Sequence, residues 1–216
     1  MSESQRATEL FQGLEGIGDR LREERNKAGL SQRELARRLG LSASLISQLE
    51  SGLSKPSVGT LYAIVTELNL SLDRVIRGED FSGDGAPAGQ TPDGGVSPLV
   101  HPENRQVIDL ASGVRWEELT ATSEEGVDFL LATYEVGGAS TPDESLMRHH
   151  GREYGYVMTG TLAIQIGFQE FVLGPGDSIA FDSTRPHRLY NNGDSPVQAI
   201  WFVSGRDADD RVIHSD

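Results

Sequence analysis

Between Leu30 and Gly52 the chain reads LSQRELARRLGLSASLISQLESG, which restricts this stretch to two short helices set close together. Ser31 stands where a helix N-cap belongs, with Glu34 three residues on, the S-x-x-E pattern in which each side chain satisfies an orphan backbone donor. Leu35, Ala36 and Leu39 then recur at helical spacing. Gly40 ends the run, because glycine accepts the left-handed backbone that closes a helix. Ser42 restarts the pattern as a second cap, and Leu45, Ile46 and Leu49 form its inward stripe. The outward positions of that second helix are Ala43, Ser44, Ser47 and Gln48, all small or hydrogen-bonding.

Two short helices around a tight glycine turn describe a helix-turn-helix. An outward face without bulk, carrying donors and acceptors, suits a helix that lies in the major groove and meets base edges. The flanks extend the pattern. Gly16 to Lys27 reads as a first helix, with Ile17 and Leu21 inward and Arg20, Arg22, Arg25 and Lys27 outward. Pro56 and Ser57 open a fourth, striped by Leu61, Ile64, Val65 and Leu68, and Ser71 caps a short fifth running through Arg77.

In register, Arg25, Gly29, Ser31-Gln32, Leu35-Ala36, Gly40, Ile46-Ser47, Glu50, Gly52, Pro56 and Leu61 resemble the lambda-repressor-like, or XRE, family of DNA-binding domains. The resemblance covers about Gly16 to Gly78 and implies a five-helix domain that binds a double-stranded DNA operator. It also implies roles. Gln32 would touch a phosphate or brace the recognition helix. Ser42, Ser44, Ser47 and Gln48 would meet base edges and nearby phosphates, with Gln48 the foremost candidate for adenine. Arg33 and Lys55 would meet backbone phosphate.

Charge agrees with that division of labour. Residues 16–78 hold ten Lys/Arg against seven Asp/Glu, a net +3, whereas the whole chain is −14 and the remainder therefore −17. A basic segment on an acidic body is expected where one domain meets phosphate and the other does not. The excess is small, so affinity should rest on a few placed contacts and on a homodimer.

The first fifteen residues lack the basic start and apolar core of a signal peptide and read as a disordered tail. No apolar run is long enough to span a membrane. The chain has no Cys, which removes disulfides, thiolate metal sites and cysteine nucleophiles together. A cytoplasmic location is expected. Residues 79–98 contain five Gly and three Pro and few apolar side chains, the composition of a linker that lets two domains reorient.

From Leu99 the hydrophobic period changes from helical to alternating. Strands are expected at 107–110, 114–117, 127–136, 156–158, 162–166, 170–173, 178–181, 187–190 and 197–203, separated by Gly- and Pro-containing turns. Short strands at near-regular spacing suggest an all-β barrel or jelly roll. Within this region Met147 to Gly160 and Gly176 to Asn191 resemble the two sequence motifs of the cupin family. Residues 99–210 would then fold as a cupin jelly-roll β-barrel, making the chain multidomain, α plus all-β. Motif positions are met by His149, Glu153, Gly160, Gly176, His187 and Asn191. Met147 replaces the first motif histidine, and Asp182 and Thr184 replace the motif Pro and Gly.

His149, Glu153 and His187 would form a 2-His-1-carboxylate face, which suits non-haem iron and is compatible with Mn, Zn or Ni. The alternative is a barrel that has lost its metal, with the same histidines hydrogen-bonding in a pocket. Met147, two residues before His149, should point inward beside it, and His150 should turn outward. Met147, Tyr156 and Asn191 would line the ligand pocket. Arg148, Arg152, Arg185 and Arg188 flank the motifs and would suit an anionic effector. Together these features describe a non-enzymatic, dimeric transcription regulator whose cupin domain senses a small molecule. The alternative from another class is a mononuclear iron oxygenase resembling hydroxypropylphosphonate epoxidase, also fused to helices.

Overall fold

The structure is a computed structural model that describes residues 16–70, 72, 75, 97–122, 126–142 and 145–205. The N-terminal tail, nearly all of the expected linker and residues 206–210 lie outside this set.

The first described region is helical: α1 (Ile17–Lys27), α2 (Gln32–Leu39), α3 (Ala43–Glu50) and α4 (Val58–Glu67). Each of the last three starts on a serine whose hydroxyl accepts a backbone amide: Ser31 from Glu34, Ser42 from Leu45 and Ser57 from Thr60, each at 3.1 Å. Such caps contribute about 1 kcal/mol apiece. Gly40, at φ 67°, closes α2 in the left-handed conformation expected of the turn glycine. Half of the expected capping box is made, because the Glu34 carboxylate turns to Arg37 and Arg38 instead of back toward Ser31. Of the fifth helix expected over 71–77, Leu72 and Val75 are among the described residues, and both are helical and buried.

Arg25, expected on the outer face of α1, is instead buried. Its guanidinium forms a two-pronged pair with Glu50, Nε to Oε1 at 2.5 Å and Nη2 to Oε2 at 2.9 Å. The pair ties α1 to the end of α3, where an isolated arginine would lose hydration without compensation.

The second region has, among the described residues, nine antiparallel strands: β1 (Val107–Leu110), β2 (Val114–Glu118), β3 (Val127–Tyr134), β4 (Arg152–Thr159), β5 (Leu162–Ile166), β6 (Gln169–Leu173), β7 (Ser178–Asp182), β8 (His187–Tyr190) and β9 (Val197–Ser204). Six form one sheet in the order β1-β2-β3-β9-β4-β7, and three form another in the order β6-β5-β8. The expected strands are all present, with ends shifted by a few residues. Alternation decides what faces inward: along β9, Val197, Ala199, Trp201 and Val203 are buried and the residues between them are not.

The two regions are not independent bodies. Their buried apolar side chains form one continuous cluster, and α4 rests on the β domain. The Gly59 amide donates to the Ser140 carbonyl at 3.0 Å, and the Ala111 amide to the Pro56 carbonyl at 2.9 Å. Freely reorienting domains, expected from the linker composition, give way to a packed interface because α4 carries apolar residues on two sides.

Candidate DNA-reading face and metal centre

On the helical domain, Ser44, Ser47 and Gln48 are exposed along α3, and Arg33 is exposed at the start of α2. This is the face expected to meet DNA. Ser42 sits at its edge with its hydroxyl engaged in the cap. Gln32 donates to Glu50 Oε2 at 2.8 Å, the kind of contact its expected bracing role needs. With Arg25 it completes a network in which every prong of the Glu50 carboxylate is used. Burial would raise the Glu50 carboxyl, but Arg25 and Gln32 outweigh it and hold it below its ordinary value. Lys55, expected at phosphate, is half-buried at the domain interface with Nζ 3.9 Å from Asp109.

On the β domain, two segments distant in sequence converge. Glu153 lies on β4, His187 begins β8, and His149 precedes β4 in a segment held by backbone pairing: the His149 amide donates to the Ser183 carbonyl at 3.0 Å. Met147 and His187 exchange both backbone bonds across an isolated bridge, at 2.9 and 2.8 Å. The result brings His149 Nε2 and His187 Nε2 each to 3.0 Å from Glu153 Oε1.

The protons in this cluster follow from its outer contacts. His149 Nδ1 lies 2.9 Å from the His150 carbonyl and His187 Nδ1 lies 2.8 Å from the Arg185 carbonyl. A carbonyl oxygen only accepts, so each Nδ1 carries a hydrogen, and a ring in its neutral form then turns a lone pair inward from Nε2. Glu153 Oε2 is taken by the Trp201 indole N–H at 2.7 Å, leaving Oε1 to face the two rings. Thus His149 Nε2, His187 Nε2 and Glu153 Oε1 are all buried without a hydrogen-bond partner.

Three inward-facing acceptors with no donor between them suit a cation. Ligand atoms about 2.1 Å from an ion and at right angles would be about 3.0 Å apart, which matches both contacts to Oε1. The residues therefore fit a divalent ion, and histidines held through Nδ1 by carbonyls are the usual arrangement around one. Without an ion a proton serves instead. Burial would lower the His187 imidazole, but the facing carboxylate raises it further, so it is held above its ordinary value. Burial likewise raises Glu153, and the two imidazoles more than reverse this.

Trp201 escaped the sequence as a functional residue. The available signal was Gly155, in mid-strand two residues from Glu153: a Cβ there would sit 2.0 Å from the Trp201 ring. Glycine inside a strand often marks such a close approach.

The expected pocket needs correction. Tyr156 is exposed on the outer face of β4, since it is three positions from the inward Glu153 and alternation turns it away. Asn191 is buried but fully used, donating to the Tyr134, Glu135 and Ser195 carbonyls and accepting from the Gly193 amide. It braces a turn. Met147 is buried as expected, and His150 is exposed. The four arginines do not line the site. Arg148, Arg152 and Arg185 are exposed, while Arg188 lies over the Tyr190 ring and donates to the Thr141 carbonyl.

Known proteins share this order of a helical and a cupin domain. Residues 21–75 match the Helix-turn-helix family and residues 130–203 match the Cupin domain family. The HTH-type transcriptional regulator PuuR of Escherichia coli (strain K12) is 30% identical over 176 residues, covering 81% of this chain and 86% of PuuR. The chain belongs to the XRE-type helix-turn-helix transcriptional regulators that carry a C-terminal cupin domain. The regulator also resembles the structure of an HTH_3 family transcriptional regulator from Vibrio cholerae, with a TM-score of 0.62 at 20% identity over 90% of this chain and 99% of that one. The hydroxypropylphosphonic acid epoxidase from S. wedmorenis aligns at a TM-score of 0.42 and 20% identity over 88% of this chain and 97% of that one. A likeness that distant says nothing about activity.

Proposed function

We propose that this regulator reads an operator through the exposed face of α3 and senses a small molecule at a divalent-metal centre held by His149, Glu153 and His187. The observation that carries the sensing half is the trio of buried, partnerless ligand atoms converging at 3.0 Å contacts. Protein interiors rarely leave such atoms unmatched, and where they do a ligand or ion accounts for them. Three protein ligands leave open positions on an ion, where an effector could bind directly. The DNA half rests on the exposed Ser44, Ser47 and Gln48 with Arg33 beside them. In a homodimer two such helices would lie about 34 Å apart and enter successive major grooves.

Two experiments test these halves separately. Elemental mass spectrometry of the untagged protein should find near-stoichiometric Fe, Mn, Zn or Ni, absent from a His149→Ala/His187→Ala variant. No metal after anaerobic loading would remove the metal centre from the proposal. For the DNA half, an operator is first selected from random duplexes. Gln48→Ala should then weaken operator binding by about 1–3 kcal/mol, roughly 5- to 160-fold, with unrelated DNA nearly unaffected. Equal loss on both would reduce Gln48 to a phosphate contact.

An enzymatic role has one observation in its favour, since a 2-His-1-carboxylate face with open positions also serves iron oxygenases. Oxygen uptake by the Fe(II)-loaded protein would establish it.

A further inference from the structure

The triad is closed to solvent, and part of what closes it belongs to the other domain. The His149, Glu153 and His187 side chains are 1%, 2% and 0% exposed. Tyr62, on α4 of the helical domain, lies flat on the His149 ring with centroids 4.3 Å apart and planes 11° apart. Its edge meets Trp116 of β2 at 5.7 Å. One turn earlier, Gly59 is so close to the β domain that a Cβ there would lie 2.6 Å from the Thr141 methyl and 3.5 Å from Met147 Cβ. The residue standing in for the first motif histidine therefore backs onto the same helix.

We propose that α4 is the lid of the sensing site and that Tyr62 is its contact residue. A ligand reaching the triad lifts the Tyr62 ring from His149 and with it the helical domain. This rests on the sensing function proposed above. An ion held by three side chains completes its shell with water or ligand, and the closed triad leaves those side chains at most 2% exposed. Filling the site and undocking α4 are then one equilibrium. By linkage, DNA that favours one domain arrangement alters ligand affinity by the same factor that the ligand alters DNA affinity. Tyr62 would act as a positioning residue, coupling the two sites without touching DNA.

Zn(II) is the probe, titrated against a competing chelator into wild type, Tyr62→Ala, Tyr62→Phe and Gly59→Arg. Gly59→Arg wedges α4 off the barrel without removing the buried ring, which guards against a Tyr62→Ala chain that fails to fold. Hydrogen exchange across 58–67 is followed with and without saturating Zn(II). Tyr62→Ala and Gly59→Arg should bind at least tenfold more tightly, Tyr62→Phe as wild type does, and Zn(II) should speed exchange of α4 in wild type. Equal or weaker binding by the two opening variants, or unchanged α4 protection in the saturated wild type, overturns the lid and leaves metal sensing standing. Absence of Zn(II) binding in every chain, folded variants included, overturns both.

Discussion

Two buried charged clusters, one in each domain, are put together from similar parts and come out opposite. Around Glu50, both carboxylate oxygens are matched by donors on Arg25 and Gln32, and nothing is left over for a ligand. Around Glu153, one oxygen is matched by Trp201 and the other faces two imidazole lone pairs. The first cluster fills its own hydrogen-bonding needs and so fixes helix positions. The second leaves inward acceptors that a metal ion or a proton can satisfy, and so has the makings of a site. Burial of charge is common to both; what distinguishes structure from site is whether the donors and acceptors balance.

The largest effect that would break this contrast is expected at Glu50. Glu50→Ala leaves the Arg25 guanidinium buried with no carboxylate, which costs about 3–5 kcal/mol. Thermal unfolding followed by circular dichroism should show the helical domain lost or much weakened. A loss under about 1 kcal/mol would mean that water enters and the network is not the brace it resembles.

These two clusters were unequally legible in the sequence. The strands and the four described helices follow from hydrophobic period and serine caps, because local spacing alone decides them. The triad was legible through motif spacing, since His149 and Glu153 share a segment and His187 has a fixed place after Gly176. Arg25–Glu50 was not, because a helical wheel places Arg25 outward and only tertiary packing brings α3 to it. Tyr62 was hidden for a related reason. The Leu61 to Leu68 stripe already explained α4, and Val58 and Tyr62, on a second side, had no visible partner until the β domain was in place. Tyr156 was misassigned by parity, which the strand register corrects.

A smaller effect sharpens the contrast through pH. The Glu50 carboxyl is held below its ordinary value of 4.5, with burial opposing and Arg25 and Gln32 prevailing. The unfolded chain therefore takes up this proton at higher pH than the folded one. The stabilisation is complete above about pH 4.5 and is lost as the pH falls through the folded value. Other carboxylates also titrate there, so the informative quantity is the difference between wild type and Glu50→Gln. That difference in melting temperature should be largest at neutral pH and shrink in acid. A constant difference would remove Glu50 from the acid response.

The smallest effect has the opposite sign and tests the contrast most directly. Glu153→Gln can place its amide nitrogen where Oε1 now faces His149 and His187, while its carbonyl oxygen keeps the Trp201 bond. An acceptor is thereby exchanged for a donor between two lone pairs. In ion-free protein at a pH above the raised His187 value, where both rings are neutral, this should stabilise by about 1 kcal/mol, the ordinary net gain of a buried hydrogen bond. For a chain of this size the melting temperature would rise by about 2–4 °C. The same variant should lose Zn(II) binding, because the carboxylate charge is gone. Glu50→Gln, made beside it, should destabilise, since an amide beside a buried guanidinium gives up an ion pair and gains nothing. If both Gln variants destabilise alike, the triad already balances itself with a proton on an imidazole, and its claim to be a cation site falls with the contrast.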